Sequence, residues 1–386
     1  MDPTTTALGT WSGGRFMHFG EPLAEERLRA LLRPGDGIDT VLSADVYGAG
    51  EADRMLGESL RGLDRASYCL IGAIGHDFYA GEREGAKGFP RFTDARLRTP
   101  DAYADYIRMA TERSLERIGV ERFDLLLLHN PDRVGFSSAA VWEGMQAVRE
   151  AGLTRLLGIA PGPANGFTLD LIDCLERFGE LIDWAMIILG PLEPWPGELV
   201  LNAAAAHDVS LITRVVDYGG MFHDDVLPGH AFAPYDHRKF RPEGWVQAGR
   251  ERLERMRPYA QRHGLSMLQL ACQWNLAHAA VRCVAPTLIQ EAGAQARPIE
   301  DKRAELGALS DLLADPVAQL SDEELAELRA IGDNTGCMAL KGASSQHEGT
   351  PTADRWPLGE ELRALAARAG IDPDAMIPSA AATSQV

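Results

Sequence analysis

Three side chains that could move a proton or hold a negative charge each close an apolar run: Tyr47, His129 and Arg214. Tyr47 follows Ile38-Asp-Thr-Val-Leu-Ser-Ala44 and opens a Gly-rich turn. His129 ends Phe123-Asp-Leu-Leu-Leu-Leu-His129, and Arg214 ends Val209-Ser-Leu-Ile-Thr-Arg214. A phenol and an imidazole can serve as acid and base, with free pKa values of roughly 10 and 6.5. A guanidinium beside them supplies positive charge to a developing oxyanion or to a carboxylate. These three are the candidate catalytic residues. Trp11, Asp45, His76, Asp77, Asn130, Asp217 and Tyr218 are candidate substrate contacts around them. The bland alternative gives Tyr47 and His129 a structural role only. An arginine inside a fold is costly unless paired, so Arg214 is expected to meet a ligand or an acidic neighbour such as Asp217. His76-Asp77 and the His223 to His237 cluster lack His-x-x-x-His and Glu-x-x-His spacing, so no metal site is expected.

The elements that carry these residues alternate. Strand-like runs at Leu8-Gly-Thr-Trp11, Ile38–Ala44, Tyr68–Ile74, Phe123–His129, Arg155–Pro161, Ile182–Leu189, Val209–Arg214 and Ala280–Ala285 are separated by helical patterns. The run before His129 is almost continuously apolar, as a strand buried on both faces should be. Alternation of this kind implies right-handed parallel units, and eight of them imply a closed parallel (β/α)8 TIM barrel. An open doubly wound sheet is the alternative, but Leu8–Gly14 is a poor dinucleotide-binding turn. In a barrel, residues that close strands share one mouth. Residues 1–334 are assigned to the barrel. Residues 217–245, long, aromatic and charged, form an expected lid over that mouth. Its basic run, His237-Arg-Lys-Phe-Arg241, reads as a solvated lid rather than an anion trap. Residues 335–386 form a C-terminal extension, with a helix near Pro357–Ala369 and a Ser/Ala/Thr tail expected to be disordered.

Composition excludes several classes of function. At 386 residues and 45% hydrophobic content the chain can bury a large core, yet it holds no apolar run long enough for a membrane span. The opening Met-Asp-Pro-Thr-Thr-Thr lacks a basic region followed by an apolar core, so no signal peptide is expected. A net charge of −18 argues against nucleic acid while leaving a locally basic pocket possible. Five scattered cysteines suit reduced thiols and a cytoplasmic protein. The expected partner is a small-molecule substrate, and the oligomeric state stays open.

The segment around Tyr47 resembles the aldo-keto reductase signature D-T-A-x-x-Y-G followed by S-E-x-x-L-G-x-x-L. Tyr47, Gly48, Leu56, Gly57 and Leu60 match it. The resemblance extends from about Leu8 to Asn334 and includes Leu-Leu-Leu-Leu-His129-Asn-Pro-Asp in the fourth strand. In that family a Tyr, a His, a Lys and an Asp at the strand ends reduce carbonyls with a nicotinamide cofactor. The resemblance places Tyr47 and His129 in two of these roles. The Asp position falls on Leu42 and the Lys position on Ala73. The residues that grip the nicotinamide amide fall on Ala160, Pro161 and Met186, and the ring-stacking aromatic falls on Arg214. Arg297, Lys302 and Glu305 could hold an adenine nucleotide if NADP(H) binds, although Leu306 replaces the family's Asn.

With the Lys and Asp positions apolar, the sequence leads to an expectation of nicotinamide-independent acid-base chemistry. That would be elimination, isomerisation or hydrolysis of a hydroxylated carbonyl or sugar-like substrate, with no cofactor. His129 would be base or relay, Tyr47 donor to an oxyanion, and Arg214 the source of positive charge. The alternatives are an NADPH-dependent reductase or sugar dehydrogenase with atypical catalytic residues, and a non-catalytic ligand-binding barrel.

Overall fold

The computed structural model describes residues 1–84, 88–162, 167–241, 243–335 and 359–372. Its centre is one sheet of eight parallel strands in sequential order: β1 (Ala7–Gly9), β2 (Thr40–Ala44), β3 (Cys69–Ile74), β4 (Phe123–His129), β5 (Thr154–Ala160), β6 (Trp184–Ile188), β7 (Ser210–Arg214) and β8 (Val281–Ala285). The Val284 amide donates to the Thr5 carbonyl at 2.9 Å and Thr6 bridges Val284, so the last strand returns to the first. The expected barrel is the observed one.

Successive side chains of a strand point to opposite faces, which accounts for the continuous apolar runs. Leu126 and Leu128 of β4 pack outward against the helices, while Leu125 and Leu127 pack inward beside Leu42, Ile71, Ala73, Met186 and Ile212. Toward the carboxyl ends the inward residues become small: Ala44 pairs with Ala73 across β2 and β3, and Ala160 with His129 across β5 and β4. Small side chains at this level leave the barrel mouth hollow.

The first strand ends two residues earlier than the sequence predicts, because Trp11 leaves the sheet and folds back over Gly9. A Cβ on Gly9 would lie 2.2 Å from the Trp11 ring. The turn carrying Tyr47 is fastened from below. Buried Asp53, in the helix Glu51–Leu60, accepts hydrogen bonds from Ser43 at 2.6 Å, Ser114 at 2.8 Å and Arg117 at 2.9 Å. This ties the end of β2 to the helix Tyr103–Ile118.

The segment 217–245 is not a loose flap. Arg238, only 1% exposed, bonds Asp236 at 2.7 Å and Glu291 of the β8 loop, and His230 reaches Glu291 at 3.1 Å. Asp236 also accepts from the Gly20 amide at 2.8 Å. The expectation of a solvated basic run is therefore corrected at Arg238, whose charge is neutralised inside the protein. Beyond the barrel, Asn334 clamps the Trp195 backbone at 2.9 and 2.8 Å. The helix Glu360–Arg368 buries Leu362, Leu365 and Ala366, and its Arg368 pairs with Glu176 of the helix Thr168–Phe178 at 3.1 Å. The tail expected to be disordered lies outside the described residues.

Candidate active site

Tyr47, His129 and Arg214 all open into one cavity of about 440 Å³ at the carboxyl ends of the strands. Its size falls in the range of small-molecule sites. The Tyr47 and His129 rings meet edge-on, centroids 5.7 Å apart and planes at 89°. Leu42, Ala44 and Ala73 form an apolar wall next to them. Burial raises the Tyr47 pKa, and the Arg214 charge pulls it back down.

His129 sits in a cluster with His76 and Asn130. The His76 ring is 5.4 Å from that of His129, and Asn130 Nδ2 lies 3.1 Å from His76 Nε2. With the amide donating there, His76 Nδ1 carries the proton and donates to the Phe89 carbonyl at 2.9 Å. Arg91 bridges the cluster, bonding the Asn130 carbonyl and lying 3.0 Å from His76 Nδ1. Burial and this cation push the His76 pKa down to about 3. Gly75 permits the arrangement, since a Cβ there would come within 2.0 Å of the His129 carbonyl. His129 is likewise held well below its ordinary pKa, first by burial and then by His76, Arg91 and Arg214. The low pKa favours the neutral ring, whose free Nδ1 faces no protein partner among the described residues.

Arg214 does not pair with Asp217. Its Nη2 crosses the mouth to the carbonyls of Pro161 and Gly162, at 2.9 and 2.7 Å. Asp217 is occupied by the amides of Thr287 at 2.7 Å and Gly220 at 2.8 Å. The other proposed contacts divide. Trp11, His76, Asn130 and Asp217 line the cavity. Asp45, Asp77 and Tyr218 do not. Asp45 is wholly buried, and burial followed by the charge of Asp53 holds its pKa well up. Asp77 pairs with Arg98 and caps the Tyr79 and Ala80 amides at 3.0 and 2.9 Å. Tyr218 lies under the Arg241 guanidinium, 4.7 Å from its ring centre.

The three residues expected to hold an adenine nucleotide are committed elsewhere. Lys302 is fully buried, donating to Asp225 and to the Ile289 carbonyl, both at 2.6 Å. Arg297 pairs with Glu305 and donates to the His223 carbonyl at 3.1 Å. None of the three lines the cavity. The cations at the rim are instead Arg15, Arg83 and Arg241, with His18 and His237. The His237 amide donates to the His18 carbonyl at 2.8 Å, joining the lid to the β1 loop. Arg241 stacks on Trp245 at 4.4 Å and leaves a buried Nη1 without a partner. Arg91 and His18 escaped the sequence reading because each stands in a loop with no periodicity, and Arg241 was read only as part of a solvated run.

A profile of the "Aldo/keto reductase family" matches residues 6–296. An aldo-keto reductase of Mycolicibacterium smegmatis is 31% identical over 185 residues, covering 46% of this chain and 61% of that protein. The chain thus spans less than two thirds of that relative's length. A D-threo-aldose 1-dehydrogenase of a Pseudomonas species is 25% identical over 264 residues, covering 64% of this chain and 74% of that protein. An aldo/keto reductase of Klebsiella pneumoniae, solved in complex with NADP and acetate, shares the fold at a TM-score of 0.53. The two are 19% identical, over 85% of this chain and 91% of that one. No helix of the described residues is long and apolar enough to cross a membrane.

Proposed function

This chain belongs to the aldo/keto reductase family, and from that premise we propose that it is an NADP(H)-dependent oxidoreductase of a small hydroxylated carbonyl or sugar-like substrate. This replaces the nicotinamide-independent reading. Family and relatives favour hydride transfer, and nothing in them favours elimination, isomerisation or hydrolysis. The observation that carries the proposal is the position of Arg214, a half-buried cation that lines the same cavity as Tyr47 and pulls its pKa down where the Lys position is Ala73.

The cavity fits the cofactor unevenly. Arg241, with its unpartnered Nη1, His237 and Thr287 would hold the phosphate-bearing part at the rim. Ala160, Pro161 and Met186 would contact the ring but offer the carboxamide no side-chain hydrogen bond, which lowers affinity by about 0.5–1.5 kcal/mol for each bond not made. Bound there, the nicotinamide supplies or accepts the hydride.

The chain's own residues manage the proton. In reduction, Tyr47 Oη donates it to the substrate oxygen, and the Arg214 charge stabilises the phenolate left behind. His129, neutral and edge-on to Tyr47, orients that oxygen. Leu42, Ala44 and Ala73 keep water from the phenol, which strengthens the action of Arg214. In oxidation the same phenolate accepts the proton. The test is to follow NADPH consumption with a panel of aldoses and hydroxyaldehydes, and NADP⁺ reduction with the matching polyols and aldoses. Turnover in either direction that is lost in Tyr47→Phe supports the reading. Absence of both turnover and NADPH binding contradicts it.

A further inference from the structure

We infer that the substrate carries an anionic oxygen group, a carboxylate or a phosphate ester, and that Arg214 is the residue that selects for it. The inference rests on the proposed reductase reading and adds the chemical class of its substrate.

In a chain of net charge −18 the cavity has the opposite character. Among the described residues lining it are four arginines, Arg15, Arg83, Arg214 and Arg241, against one carboxylate, Asp217. Asp217 already accepts two backbone amides. Arg15 has Glu25 at 3.7 Å. Arg214 differs from it. Among the described residues no carboxylate lies within salt-bridge distance of Arg214, and its hydrogen-bond partners are the two carbonyls of Pro161 and Gly162. A half-buried guanidinium has five N–H donors and a full charge, and two carbonyl dipoles satisfy only part of that demand. Arg214 feels the charge of Glu193 without pairing with it, and an anion can reach it directly from the cavity beside Tyr47 and His129 that it lines. A planar carboxylate or a phosphate offers the paired acceptors that a guanidinium fork matches.

The position also separates this role from that of the rim. Arg241 and His237 stand on the lid beside Thr287 of the β8 loop, whereas Arg214 ends β7 and turns toward the end of β5. An anion at Arg214 therefore lies next to the reacting groups, where a substrate carries it. Burial lowers the Arg214 pKa, and a bound anion would reverse that direction.

The test is calorimetric titration of the whole chain with D-glucuronate, D-glucose 6-phosphate, inorganic phosphate and D-glucose, with and without saturating NADPH. Wild type, Arg214→Met and Arg214→Lys are compared, with NADPH affinity measured for each. Wild type should bind the charged sugars about tenfold or more tighter than glucose, as a charge-assisted bond requires. Arg214→Met should abolish that preference, and Arg214→Lys should keep part of it. Added salt should weaken the anions alone. Glucuronate favoured over glucose 6-phosphate identifies a carboxylate, and the reverse a phosphate ester. A wild type with no preference for any anion, including one that binds none, overturns the inference. So does a preference that survives Arg214→Met. If Arg214→Met weakens NADPH and spares the sugar anions, the residue serves the cofactor's phosphates and the inference falls. Failure of NADPH to bind contradicts the reductase reading alone, since the cofactor-free titrations still report the anion preference.

Discussion

The phenol of Tyr47 and the imidazole of His129 meet edge to face, 5.7 Å between centroids, although they stand 82 residues apart in the chain (129 − 47). One follows β2 and the other ends β4, and the parallel register brings both to the same mouth. Tyr47→Phe keeps the ring and removes the proton. It should lower kcat about 10²-fold, with substrate affinity little changed. His129→Ala should raise KM as well as lower kcat, because His129 orients the substrate oxygen. Steady-state kinetics on a true substrate separates the two.

The pH profile should be asymmetric between directions. Burial raises the Tyr47 pKa above its usual value of about 10, so the acid form persists throughout the neutral range and reduction should be nearly flat there. Oxidation requires the phenolate and should rise up to about tenfold per pH unit on the way to that pKa. Arg214→Met removes the cation that pulls the pKa down, so its oxidation profile should shift to higher pH. An unshifted profile would separate Arg214 from Tyr47.

Much of this was legible in the chain. The strand–helix alternation placed eight strands and one mouth, and strand-closing positions located Tyr47, His129 and Arg214. What escaped was pairing. Nothing in Asp217, three residues beyond Arg214, announces that its carboxylate turns to the Thr287 amide, 70 residues away. Nor does the run Arg297–Glu305 reveal that its own acids, with Asp225, neutralise Arg297 and Lys302. Local spacing predicts faces of elements, while loop partners depend on the closed barrel.

The lid network gives a stability prediction. Arg238 is bound by Asp236 and Glu291, all three buried, and hydrogen bonds from His230 and Arg238 hold the Glu291 pKa down to about 2 against its burial. Breaking such a network by removing one partner typically costs about 3–5 kcal/mol. Arg238→Met should therefore lower the stability measured by urea unfolding by that order. Deleting the middle of the lid should destabilise the barrel as well as impair binding, contrary to what a solvated loop would do. A variant of unchanged stability would show that the lid is not tied down through Arg238.

Acid should weaken the fold through the histidine cluster. His76 has a folded pKa of about 3 and an unfolded one of about 6.5. Between these values the unfolded chain binds the extra proton, so the stability contributed by the neutral ring is complete above the upper value and falls as pH drops. The slope for one such group is at most about 1.4 kcal/mol per pH unit. Urea midpoints of His76→Gln should show a shallower acid dependence than wild type. Identical slopes would mean that His76 titrates normally.

The reductase reading meets its most direct test in a fluorescence titration of the purified chain with NADPH, followed by single-turnover NADPH oxidation on adding D-glucuronate or D-glucose 6-phosphate. The expected result is saturable but weak binding, weaker than micromolar because Ala160, Pro161 and Met186 leave the carboxamide ungripped, and a turnover that Tyr47→Phe slows about 10²-fold. A chain that shows no saturation by NADPH at millimolar concentration and no oxidation of it with either compound would contradict the assignment of this site to hydride transfer.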